Sequence, residues 1–76
     1  MKISFEAYCH DHSGLEKILS HANQRAREGE THFLIRFTEE GFSEAYCLVN
    51  KDQLLKALLE GHEFKVIVRI YGYEEE

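Results

Sequence analysis

Residues 32–49 read HFLIRFTEEGFSEAYCLV, and this stretch decides the fold. Large apolar side chains recur at every second position before and after a short polar turn, Glu39-Glu40-Gly41. A two-residue period is the pattern of a β-strand, and two such runs joined by a few turn residues indicate an antiparallel hairpin. We therefore predict strands over His32–Thr38 and Phe42–Val49.

The same two-residue period recurs near both ends of the chain, in Lys2–Cys9 and Phe64–Tyr71. Each of these runs is separated from the hairpin by a segment whose apolar residues recur at three- and four-residue intervals, the spacing of one helix face. The apolar positions of the first are Leu15, Ile18, Leu19, Ala22 and Ala26, and Gly29 is placed to end it. The apolar stripe of the second consists of Leu54, Leu55, Leu58 and Leu59. The predicted order of elements is βαββαβ.

Start signals precede both helical segments. Ser13 and Glu16 have the spacing of a capping box, in which the first side chain accepts a backbone hydrogen bond and the second returns one. Asn50 and Gln53 have the same spacing. We expect each pair to begin a helix.

The order βαββαβ resembles the ferredoxin-like architecture over the whole chain. Right-handed crossovers in both strand-helix-strand units then give an antiparallel sheet of order 4-1-3-2 with both helices on one face. We predict this α+β sandwich as a single domain over residues 1–76. Unrelated functions share the architecture, so it implies none by itself.

Composition excludes some partners and locations. The 9 basic and 14 acidic residues give a net charge of -5, which opposes attraction to nucleic acid or to an anionic membrane surface. We find no apolar run long enough for a membrane span and no readable signal peptide, and the two cysteines fit reduced thiols. We expect a cytoplasmic protein without a cofactor.

Catalytic motifs are not found in the sequence. It contains no G-x-S-x-G, no glycine-rich phosphate loop and no H-E-x-x-H. We therefore expect the protein not to be an enzyme.

The sheet face predicted to carry no helix is the first candidate site. Its residues are unusually apolar and aromatic for a solvated surface, and aromatic and arginine side chains are typical of protein interfaces. The candidate contact residues are Tyr8, Leu34, Arg36, Tyr46, Leu48, Ile67, Arg69 and Tyr71. With edge strand four, this face predicts an acidic protein-binding or regulatory module that binds another protein or its own copy, as a homodimer.

The predicted strand over Phe42–Val49 is also similar to the aromatic strand of RNA-recognition motifs. The similarity consists of Gly41-Phe42 followed by Tyr46 and Leu48. A basic residue precedes the glycine in those motifs, whereas this chain has Glu40 there. Together with the net negative charge, this argues against nucleic acid as a partner.

A second hypothesis is a metal site. The 4-1-3-2 order brings Cys9, His12 and His62 to one edge of the sheet, and thiol and imidazole groups are zinc ligands. The C-x2-H spacing of Cys9 and His12 resembles the C-x-x-C loop of heavy-metal-associated domains, with His12 in place of the second cysteine. A third hypothesis, based on net charge and small size, is an acidic inhibitor of a basic, nucleic-acid-handling partner.

Overall fold

The computed structural model describes residues 3–39 and 42–74, without the side chains of Glu39, Phe42 and Ser43. The predicted order of strands and helices is confirmed, while Glu40 and Gly41 of the predicted turn lie outside the described residues. The elements are β1 (Ala7–Cys9), a 3-10 turn (His12–Gly14), α1 (Leu15–Ala26), β2 (His32–Glu39), β3 (Phe42–Asn50), α2 (Lys51–Leu59) and β4 (Lys65–Ile70).

The α+β class and the antiparallel four-stranded sheet are confirmed, but the predicted strand order is wrong. The observed order is β1-β3-β2-β4, so β4 pairs with β2 and not with β1 as the ferredoxin-like order requires. Among the described residues of the first alternating run, only Ala7–Cys9 form a strand, so β1 offers three residues for pairing. The longer β2 provides a full ladder, from His32 opposite Ile70 to Arg36 opposite Lys65.

The two helices lie on opposite faces of the sheet, so the prediction that both lie on one face is also wrong. Ile18 and Ala22 of α1 pack with Leu34, whereas Ala57 of α2 packs with Ile35. Leu34 and Ile35 are consecutive in β2, so their side chains point to opposite faces. In the observed order both crossovers step across the sheet in the same direction, while β1 and β3 run in opposite directions. Connections of the same hand therefore place the helices on opposite sides.

One of the two predicted capping boxes forms. At α2 the Gln53 backbone N–H donates to Asn50 Oδ1 at 2.8 Å, and the Asn50 backbone N–H donates to Gln53 Oε1 at 3.0 Å. Ser13 does not cap α1. It donates instead to the Asp11 carboxylate, and this contact begins the 3-10 turn that leads into the helix at Gly14.

The C-terminal segment crosses the end of α1 and is held there by hydrogen bonds. The backbone N–H of Tyr73 donates to the Ala26 carbonyl at 2.9 Å, and that of Gly72 donates to Thr31 Oγ1 at 2.9 Å. A Cβ atom at Gly72 would lie 2.3 Å from the carbonyl carbon of Gly29. Gly72 is therefore required by close approach of two backbone segments.

Candidate functional site

The sheet face that the sequence leaves without a helix is covered by α1. Leu34, Tyr46 and Leu48 are 2%, 4% and 0% exposed and pack with Ile18 and Ala22. Three of the eight candidate contact residues are thus core residues, so the predicted helix-free surface does not exist in this fold.

The other candidate contact residues are dispersed. Tyr8 belongs to the opposite side of the sheet, with its ring 6.3 Å from that of Phe37. Arg36 is half-exposed and pairs with Glu44. Only the three candidates in or just after β4 remain well exposed. These are Ile67, Arg69 and Tyr71.

The largest exposed apolar group on a helix is on α2, where sequence reasoning assigned a buried stripe. Leu55, Leu58 and Leu59 are 56%, 58% and 80% exposed, and we call them the leucine face. α2 turns Leu54 and Ala57 toward the sheet instead. The signal was present in the sequence, because at 3.6 residues per turn the apolar residues of α2 span an arc of about 200°, wider than one sheet face can bury.

A chain of polar contacts runs across the sheet from His12 through Tyr46 and Glu44 to Arg36. The Tyr46 hydroxyl donates to Glu44 Oε2 at 3.0 Å, so it accepts from His12 Nε2 at 2.9 Å. Arg36 Nη1 lies 3.7 Å from Glu44 Oε1. Loss of solvation, followed by the hydrogen bond to Glu44, raises the pKa of Tyr46 above its ordinary value of 10.0. Tyr46 is therefore a neutral phenol at physiological pH, and it fastens the 3-10 turn to β3.

Cys9 lies opposite Tyr46 in the β1–β3 ladder and is a free thiol. Burial is the main cause that raises its pKa above the ordinary value of 9.0, and the charge of Asp11 adds to the rise. A thiol is a nucleophile and a metal ligand only as the thiolate. At neutral pH this cysteine is therefore in its unreactive form.

The structure does not assemble the predicted metal ligands Cys9, His12 and His62. His12 bonds to Tyr46, whereas His62 lies beyond α2, with its Nε2 3.1 Å from Glu60 Oε2. β4 lies at the sheet edge away from β1, so the residues that precede it do not meet those that follow β1. Within residues 3–39 and 42–74, no group of three or more histidine, cysteine, aspartate or glutamate side chains is placed to hold a metal ion.

A cleft of about 320 Å³ opens where β4 begins. Its lining consists of Arg36, Phe37, Thr38, Glu44, Glu63, Phe64 and Lys65. Two cations and two carboxylates balance one another there, so the lining favours neither an anionic nor a cationic ligand.

Comparison with known proteins gives no match. No family model, no curated protein and no solved structure is similar to this chain. In the part of the chain that the structure describes, neither helix has the length and apolar character needed to cross a membrane.

Proposed function

We propose that this chain is a small, non-enzymatic protein-binding module that forms a homodimer through the leucine face of α2. The supporting observation is that Leu55, Leu58 and Leu59 lie together on one helix with more than half of each side chain exposed. Isolated exposed leucines are ordinary, but a contiguous apolar patch on a surface is typical of an interaction site.

The spacing of the leucine face suits a second copy of the same helix. Two α2 helices that pack antiparallel about a two-fold axis between positions 56 and 57 bring Leu55 of each copy against Leu58 of the other. Leu59 then extends the same seam at both ends. Such an interface is isologous, because the same patch serves both copies, and it closes at two subunits.

The expected affinity is modest. Full burial of a leucine is worth about 1.5–3 kcal/mol, so burial of the exposed parts gives about 1–2 kcal/mol for each leucine. Six leucines in a dimer give about 6–12 kcal/mol, and association costs about 4–15 kcal/mol. We therefore expect dissociation constants in the micromolar range or weaker.

Sedimentation equilibrium from about 1 μM to about 1 mM spans that range. We expect the wild-type chain to shift from monomer to dimer, and the Leu55→Lys, Leu59→Lys double variant to remain a monomer. The matched control is Ser20→Lys with Gln24→Lys, which adds the same charges at the same spacing on the exposed side of α1.

This control variant should dimerise like the wild type. A wild-type chain that stays monomeric over the whole range contradicts the proposal. Equal loss of the dimer in both double variants also contradicts it, because the effect would then come from net charge and not from the leucine face. Circular dichroism on each variant verifies that the fold is retained.

A further inference from the structure

β4 is an edge strand with a free side. It pairs with β2 over Lys65–Ile70, and no other strand of the described residues lies beside it. The opposite edge, β1, has only three residues. An edge strand of six residues presents backbone N–H and C=O groups that a further strand can pair with.

The exposed side chains of β4 are cationic at both ends. Lys65, Ile67 and Arg69 are exposed, whereas Val66 and Val68 are half-buried. Neither Lys65 nor Arg69 forms an ion pair within residues 3–39 and 42–74. β4 itself thus carries two cations and no carboxylate, in a chain whose net charge is -5.

A β-bulge places these two cations on opposite faces of the sheet. Lys65 stands opposite Arg36 and Arg69 stands opposite Phe33, with Ile67 as the extra residue between them. Positions 33 and 36 are three residues apart on β2, and strand residues an odd number apart point to opposite faces. A strand that pairs with β4 thus meets one positive charge on each face.

These charges discriminate between possible strands. A second copy that paired its own β4 with this strand would bring two more cations to the edge and no carboxylate, because Lys65 and Arg69 are the only charged residues of β4. An acidic strand places opposite charges there instead. We infer that the β4 edge binds an extended acidic segment of another protein by strand addition, with one carboxylate for Lys65 and one for Arg69. This inference goes beyond the α2 homodimer and does not depend on it.

The test uses a fluorescein-labelled peptide, Thr-Glu-Val-Thr-Glu-Val-Thr, whose glutamates have the three-residue spacing of positions 33 and 36. We expect saturable binding to the wild-type chain in fluorescence anisotropy. Affinity should fall at least about tenfold for Lys65→Glu with Arg69→Glu, because two attractive pairs become repulsive. The matched control, Lys17→Glu on the exposed side of α1 with Arg27→Glu just after the helix, should stay within about twofold of wild type.

The charge-swapped peptide Thr-Lys-Val-Thr-Lys-Val-Thr should bind the Lys65→Glu, Arg69→Glu variant better than it binds the wild type. Amide shifts in NMR spectra should be largest along β4. N-methylation of alternate peptide amides should abolish binding, since strand addition uses the backbone. The Leu55→Lys, Leu59→Lys variant should bind the glutamate peptide like the wild type, which separates this inference from the homodimer.

Three results overturn the inference. The first is no binding of the glutamate peptide up to about 1 mM. The second is equal weakening in the β4 and α1 charge variants. The third is a combination of two observations: the Lys65→Gln, Arg69→Gln variant aggregates, and the wild-type chain binds no peptide. This combination would show that the two cations only prevent edge-to-edge pairing.

Discussion

The two helices cover opposite faces of one sheet, and they cover them to different extents. α1 has twelve residues and buries Ile18, Ala22 and Ala26, with polar side chains on its outer side. α2 has nine residues and fully buries only Ala57, with its leucine face exposed.

The difference follows from the width of the apolar arc on each helix. At 3.6 residues per turn, the apolar residues of α1 span about 100°, which is the width that a helix on a sheet can bury. Those of α2 span about 200°. A narrow arc is fully used by the core, whereas a wide arc leaves apolar side chains exposed.

The same substitution on the two sides of the molecule gives the largest expected contrast. Leu48→Ala removes a side chain with no solvent exposure from the α1 side of the core, and we expect a loss of about 2–5 kcal/mol in the free energy of unfolding. Leu59→Ala on the leucine face should change the free energy of unfolding by less than about 0.5 kcal/mol, when the chain is dilute enough to be a monomer. Urea denaturation measures both values. Similar losses for the two variants would contradict the contrast between the faces.

Gly72 provides the next largest effect, because it lies where the C-terminal segment is hydrogen-bonded to the end of α1, whereas the described hydrogen bonds at the end of α2 come from the residues that directly follow it. In Gly72→Ala the new Cβ would meet the Gly29 backbone, and the Tyr73 to Ala26 hydrogen bond would be strained. We expect a loss of about 1–3 kcal/mol. Tyr71→Ala, at an exposed neighbouring position, is the control and should cost much less. An unchanged urea midpoint in Gly72→Ala would show that the C-terminal segment can move away from the Gly29 backbone without loss of stability.

The N-termini of the helices differ as well. Asn50 caps α2 with its side chain, whereas the N-cap residue of α1 is Gly14, which has no side chain to accept a hydrogen bond. Asn50→Ala should destabilise the chain by about 1 kcal/mol, the usual cost of losing an N-cap. Lys51→Ala, one residue later and exposed, is the matched control. Equal urea midpoints for the two variants would mean that the box contributes little to stability.

Local periodicity in the sequence is sufficient to predict the element order, but not the strand order. Whether β4 pairs with β1 or β2 depends on how much of the first alternating run joins the sheet, and of its described residues only Ala7–Cys9 form a strand. The alternation correctly predicts that Leu34 and Leu48 share a face. It does not show that α1 covers that face, because this follows from the strand order.

Strand four is among the predicted binding elements, but the placement of its charges on two faces was not predicted, for a related reason. Alternation alone places Lys65 and Arg69 on one side of β4, and the bulge at Ile67 changes the side within the strand. A bulge depends on pairing with β2, so no local pattern of β4 reveals it. The leucine face, in contrast, follows from the sequence, because the apolar arc of α2 is wider than a sheet can bury.

The smallest expected effect is the pH dependence that Tyr46, on the α1 side of the sheet, gives to the free energy of unfolding. The pKa of Tyr46 is raised in the folded chain above its ordinary value of 10.0, so folding favours the neutral phenol. The resulting stability is present in full below pH 10 and is lost as the pH rises through the folded-state pKa. Tyr46→Phe cannot ionise, so its free energy of unfolding should fall less steeply than that of wild type between pH 9 and pH 11. Tyr71→Phe, exposed beyond β4, should follow the wild-type curve. Parallel curves for wild type and Tyr46→Phe would mean that the buried hydroxyl on the α1 side titrates as freely as an exposed one.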